Sequence, residues 1–168
     1  MSLIIKDKIQ MLMRGYPTVS DKYDVAGGVL EGAEGVKFGD VVQFGTTAGY
    51  FKAISATQTA AAITNIAGFV VATNVKLADG FPGTTVTTLP GEAFNLLVKG
   101  FIAVELGSTA VVSNIVANKP VAIKLATGEL TTSGVSGATD IPNVVFTGIY
   151  ENHGTTGAPK YYAEIYVK

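Results

Sequence analysis

LPGEAFNLLVKGFIAVEL, residues 89–106, decides the fold. A Pro90-Gly91 turn opens it and a period-two run follows. Phe94, Leu96, Val98, Gly100, Ile102, Val104 and Leu106 share one parity, while Asn95, Lys99 and Glu105 fall on the other, as in a strand with one buried face. At about 3.3 Å per residue the run is much longer than the usual strand of about five or six residues. Gly100, the gap in the apolar row, is therefore expected to mark a bend where the chain turns a barrel corner or passes between sheets.

The same grammar extends outward. Upstream, IAGFVVAT (residues 66–73) is apolar on both parities around Gly68 and reads as a central strand with both faces covered. VKFGDVVQFG (36–45) gives two short strands about a tight turn, and residues 50–55 alternate as a further strand. Residues 56–64 suit a loop or one helical turn, and residues 74–88, with Asp79-Gly80 and Pro82-Gly83, read as an extended loop or edge hairpin. Downstream, residues 107–118 form a weaker apolar segment, and residues 120–130 a hairpin turning at Thr127-Gly128. TTSGVSGAT (131–139) is expected to be a mobile loop. A closing pair spans 144–150 and 161–168, with Tyr161, Ala163, Ile165 and Val167 on one face. From Val25 onward the expected fold is all-β, a β-barrel or β-sandwich domain with meander and Greek-key connections.

The N-terminus differs. Ser2 is placed to cap a short helix with Ile5, Ile9, Leu12 and Met13 as its stripe, Gly15 to end it and Pro17 beyond. Two readings stand: a helix packed on the domain's own sheet, or an arm docking on a neighbour. Residues 16–24, YPTVSDKYD, are polar and turn-prone and read as a connector. The division is thus an N-terminal arm and connector over 1–24 and a β domain over 25–168.

Composition removes several functions. Cysteine is absent, which excludes disulfides, thiolate metal sites and a cysteine nucleophile. Lys plus Arg number 12 against 13 Asp plus Glu, without the basic clustering a nucleic-acid groove requires. No apolar run reaches a membrane span, and the N-terminus, broken by Lys6, Asp7, Lys8 and Gln10, lacks a signal-peptide core, so synthesis in the cytoplasm is expected. Charged residues make up only 15% of the chain, below the roughly 25% of ordinary soluble proteins; this suits either a turn-rich β domain or a surface that spends its life in contact with others.

No catalytic pattern emerges. His153, the single histidine, reads as a solvated loop residue with no GxSxG serine to serve. Glu31 with Glu34, and Asp21 with Asp24, sit in turn-rich settings and read as surface carboxylates, without calcium-loop spacing. The glycines form turns and no phosphate cradle. No cofactor or metal is expected. Tyr161, Tyr162 and Tyr166 offer a stacking platform for sugars, which makes a small carbohydrate-binding β domain the alternative function.

The order of GYPTVSDKYD, VKFGDVVQFG, IAGFVVAT, LPGEAFNLLVKGFIAVEL, KPVAIKLATGELT and IPNVVFTGIY resembles the capsid cement, or decoration, proteins of tailed bacteriophages. The resemblance spans most of the chain and is weakest over residues 1–13. It implies a non-enzymatic structural virion protein on the outer capsid surface, bridging major capsid proteins against internal DNA pressure. It also implies a homo-oligomer, with a trimer favoured. On that reading the expected contacts with capsid or sister subunits come from Leu3, Ile4, Ile5, Ile9, Leu12, Met13 and Tyr16, together with some glycine-rich loops.

Overall fold

The computed structural model describes residues 12, 14–18, 23–54, 60–72, 87–155 and 157–168. Its strands are β1 (Asp24–Glu31), β2 (Val36–Lys37), β3 (Val41–Phe44), β4 (Tyr50–Ala53), β5 (Ile66–Val71), β6 (Thr87–Thr88), β7 (Ala93–Glu105), β8 (Pro120–Lys124), β9 (Leu130–Thr132), β10 (Ala138–Asn152) and β11 (Tyr161–Val167). Two short 3-10 helices, Ala60–Asn65 and Val112–Asn114, complete the described elements. The fold is all-β, as the alternation of residues 89–106 requires.

Nine strands form one sheet in the order β1-β4-β3-β5-β7-β11-β10-β8-β9, and β1 also pairs with β7. That extra pairing closes β1, β4, β3, β5 and the first half of β7 into a five-stranded barrel. Within it only β1 and β4 run parallel, with Val29 opposite Tyr50; no turn signal in the sequence announces that pairing. The remainder of the sheet unrolls from the second half of β7, where Ile102 faces Ile165 of β11 and Gly100 faces Val167.

Gly100 is the point of passage. It is buried, with φ 124, in the region where a side chain is disfavoured. Before it, β7 pairs with β1 and β5; after it, with β11. One strand thus belongs to both halves of the molecule, as its length and its glycine predict.

Two cores result, and they share a wall. The smaller fills the barrel with Leu30, Val42, Phe51, Val70, Phe94 and Leu96 among others. The larger lies between that wall and the second part of the sheet, and takes Val41, Phe69, Val71 and Leu97 from the wall's other face to meet Ile102, Ile123, Phe146 and Ile165. Successive residues of β3, β5 and β7 therefore serve opposite cores, because a strand alternates its side chains. This explains why IAGFVVAT is apolar on both parities.

Several expectations are corrected. Val98 belongs to the buried parity but is exposed, and Leu97 is buried instead. Asp24 faces Lys99 and Val25 faces Leu97, so Val98 is the unopposed residue of a β-bulge. Residues 131–139 are not a mobile loop. Thr131 and Thr132 lie fully buried in β9, the Thr132 Oγ1 accepts the Val111 N–H at 3.0 Å, and the tight turn that follows carries Gly134 and Gly137 at positive φ. Within the weaker apolar segment over 107–118 the chain makes a 3-10 turn at Val112–Asn114. The helix expected from Ser2 lies mostly outside the described residues, as does the loop over 74–86.

Candidate functional site

The N-terminal segment enters the body at the corner of β7. Gly15 N–H donates to Ala103 O at 2.7 Å, Ala103 N–H to Tyr16 O at 3.0 Å, and Ala72 N–H, just past β5, to Gly15 O at 2.8 Å. Pro17 forms a β-bridge with Ile102. A side chain at Gly15 would collide with Phe38, its Cβ lying 2.5 Å from the Phe38 Cβ, so close approach as well as φ 76 requires glycine here. Residues 14–18 are therefore a brace between barrel and sheet, where the sequence suggested the end of a helix and a connector.

Arg14, the single arginine, completes the brace. Its guanidinium donates to Phe38 O and Asp40 on the barrel side and to Glu105 Oε2, at 3.0 Å, at the end of β7. A planar fork can satisfy several acceptors from one centre, which a lysine cannot reproduce. Glu105 also accepts from the Tyr162 hydroxyl at 3.3 Å and pairs with Lys160 Nζ at 3.3 Å. Partial desolvation pulls the Lys160 ammonium down, but the Tyr162 hydroxyl and the Glu105 charge outweigh it and leave its pKa above the ordinary value. Burial likewise raises the Tyr16 phenol.

The network ends at Leu12. Glu151 Oε2 accepts the Leu12 N–H at 2.9 Å and meets His153 Nε2 at 2.7 Å, while the imidazole lies against the Tyr162 ring with centroids 4.5 Å apart. His153 is exposed, as read from the sequence, and is also engaged on two sides. Of the expected interface residues, Leu12 is buried and Tyr16 is half-buried against β7. Leu3, Ile4, Ile5, Ile9 and Met13 lie outside the described residues.

Chemically the arrangement fastens and does not react. A cleft of 410 Å³ runs between barrel and sheet; of the four carboxylates that line it, Asp40 and Glu105 are tied to Arg14, Glu129 accepts from the Thr127 hydroxyl at 3.1 Å, and Glu34 is exposed. Among the described residues no group of three or more His, Asp or Glu could hold a metal ion. Glu31 clasps the β3–β4 turn, accepting the Thr46 N–H at 2.7 Å. The three tyrosines do not form one platform: Tyr161 packs against the larger core, Tyr162 bonds Glu105, and Tyr166 stacks on Phe101 with centroids 4.6 Å apart.

The outer surface carries apolar residues that the sequence did not single out. Phe44 and Tyr50 stand exposed on either side of the clasped β3–β4 turn. On β10 the pairing with β11 breaks between Phe146 and Tyr150 around Gly148, φ 92. There Ile149 and Tyr150 are 53% and 43% exposed, and nearby Val116 is 49% exposed. The Thr-Gly inside IPNVVFTGIY is the usable signal for that bulge.

A family model described as "Structural cement protein (E217 gp24/Pam3 gp6)" matches residues 12–167, nearly the whole chain. The chain belongs to this phage structural cement protein family. A solved structure titled "The capsid of Myoviridae Phage XM1" contains a similar chain, with TM-score 0.60 and 16% identity over 97% of this chain and 96% of that one. At that identity the likeness is one of fold. No curated protein matches the sequence. The cement family is structural and not an enzyme class, and membership makes this chain a component of the phage capsid associated with capsid proteins. The matched region begins at Leu12, the first of the described residues.

Proposed function

We propose that this cement protein sits on the outer surface of the assembled head and bridges neighbouring major capsid proteins, stabilising the shell against the pressure of packaged DNA. The observation that carries the reading is the match to the structural cement family over residues 12–167. The brace supports it. A protein that links subunits has to pass load across its own body, and here β7, the Gly15–Pro17 backbone bonds and the Arg14 fork connect the barrel to the sheet. Many copies on one head turn modest single contacts into durable attachment.

On this reading the chain is made in the host cytoplasm and acts as a homo-oligomer, a trimer being the favoured form. Leu3, Ile4, Ile5, Ile9 and Met13 supply contacts to the capsid or to sister subunits, and Leu12 and Tyr16 anchor that segment to the body. Deleting residues 1–11 is expected to lower occupancy on purified heads while leaving the melting transition of the isolated protein in place. The deletion stops at residue 11 because Arg14 and Gly15 hold the body together. Heads fully decorated by the truncated protein would remove the segment from the contact set. Heads equally resistant to heat with and without the intact protein would remove the stabilising role.

A further inference from the structure

We propose that Leu12 and residues 14–18 form a strap that opens as a unit while both cores stay folded, so that it is the first connection between barrel and sheet to yield. Its place in the packing allows this. No residue of the strap belongs to either hydrophobic core. Gly15 rests against Phe38 at the edge of the smaller one, and the strap bonds the backbone of Phe101 and Ala103, while Ile102 and Val104 fill the larger. With the strap lifted, β7 would still run through both halves, and Val41, Phe69, Val71 and Leu97 would still pack against the sheet.

The fastening is electrostatic and lies close to water. Besides Phe38 O, Arg14 reaches Asp40 and Glu105, and the Leu12 N–H reaches Glu151. These three carboxylates keep 32%, 25% and 24% of their side-chain surface exposed. Ties so near the solvent contribute modestly, because water takes over each of them when it breaks. Closure also strands a polar group. The Thr18 N–H donates to Phe101 O at 3.2 Å, yet among the described residues the Thr18 hydroxyl is the one buried side-chain polar atom without a hydrogen-bond partner. A buried hydroxyl left unpaired opposes the closed state, and lifting the strap returns it to water. In a protein that links capsid subunits, such a strap would give way before a core does. That consequence rests on the capsid reading, whereas the opening itself does not.

Arg14 is the single arginine, so an arginine-specific protease has one site in the whole chain, the Arg14–Gly15 bond inside the strap. Gly15 is buried with its N–H and its O both bonded, which shields that bond while the strap is closed. Cleavage of the full-length native protein is followed by the mass of the product lacking residues 1–14, and denaturant unfolding of each variant gives its global stability in parallel. Glu105→Gln and Glu151→Ala are each expected to raise the cleavage rate about threefold or more. Thr18→Val should lower it by a similar factor. Ile123→Val, in the larger core, should leave the rate unchanged while lowering global stability. A rate that climbs with Ile123→Val in proportion to the stability lost would overturn the proposal, because Arg14 would then be reached only by complete unfolding. Wild-type protein cut as fast as the denatured chain, carboxylate variants cut no faster, or Thr18→Val cut no more slowly would overturn it as well. The assay uses the isolated protein, so none of these outcomes bears on the capsid role.

Discussion

The two longest strands, β7 with 13 residues and β10 with 15, each carry a glycine at positive φ in mid-course, yet the glycines act in opposite places. Gly100 is buried, and the residues on either side of it fill the two cores. Gly148 lies at the surface, and the irregularity around it turns Ile149 and Tyr150 out of the body. The same backbone freedom thus lets one strand serve two cores and lets the other expose apolar side chains. Changes at β7 should therefore act on folding, and changes at β10 on association.

The largest effect is expected at Gly100. Gly100→Val places a β-branched side chain at φ 124 in a buried site, at a cost of about 3–5 kcal/mol from strain and overpacking combined, and denaturant unfolding should show a body near the limit of stability. Arg14→Ala comes next. It leaves Asp40 and Glu105 without their shared cation, and a loss of about 1–3 kcal/mol is expected, with Arg14→Lys recovering only part of it. Gly148→Val should cost about 1–2 kcal/mol, less than its counterpart in β7 because the site can relax into solvent. A cost equal to that of Gly100→Val would erase the distinction between the two strands.

How far these differences can be read from sequence depends on what each residue's neighbours are. The bend at Gly100 was legible because its own strand carries the alternation on both sides, and the double burial of β5 was legible because apolar residues occupy both parities. The parallel β1–β4 pairing was not, because it joins segments about twenty residues apart with no hairpin between them. The Val98 bulge was hidden for a related reason: a shift in register is set by the partner strand, and Val98 itself keeps the apolar pattern. Arg14 left a signal in being the single arginine beside a glycine in an apolar segment, but its acceptors come from residues 24 to 91 positions away. Family resemblance supplied the capsid role, which no residue pattern by itself contained.

Two smaller effects sharpen the contrast. Ile149→Lys should change stability by no more than about 0.5 kcal/mol in denaturant unfolding, unlike a substitution at a core position. Lys160 provides the least. Its folded pKa is raised above 10.5, so its contribution is complete below that value and fades as pH rises through the folded one. Lys160→Met should remove that alkaline slope and lower stability slightly and evenly through the neutral range, as thermal melts across pH would show.

Electron cryomicroscopy of intact heads tests the central claim most directly. The account predicts this chain on the outside of the shell, astride the junctions between major capsid subunits, with its N-terminal segment engaged on a neighbouring chain. Density inside the shell or in the tail, or isolated copies each confined to a single capsid subunit, would contradict it.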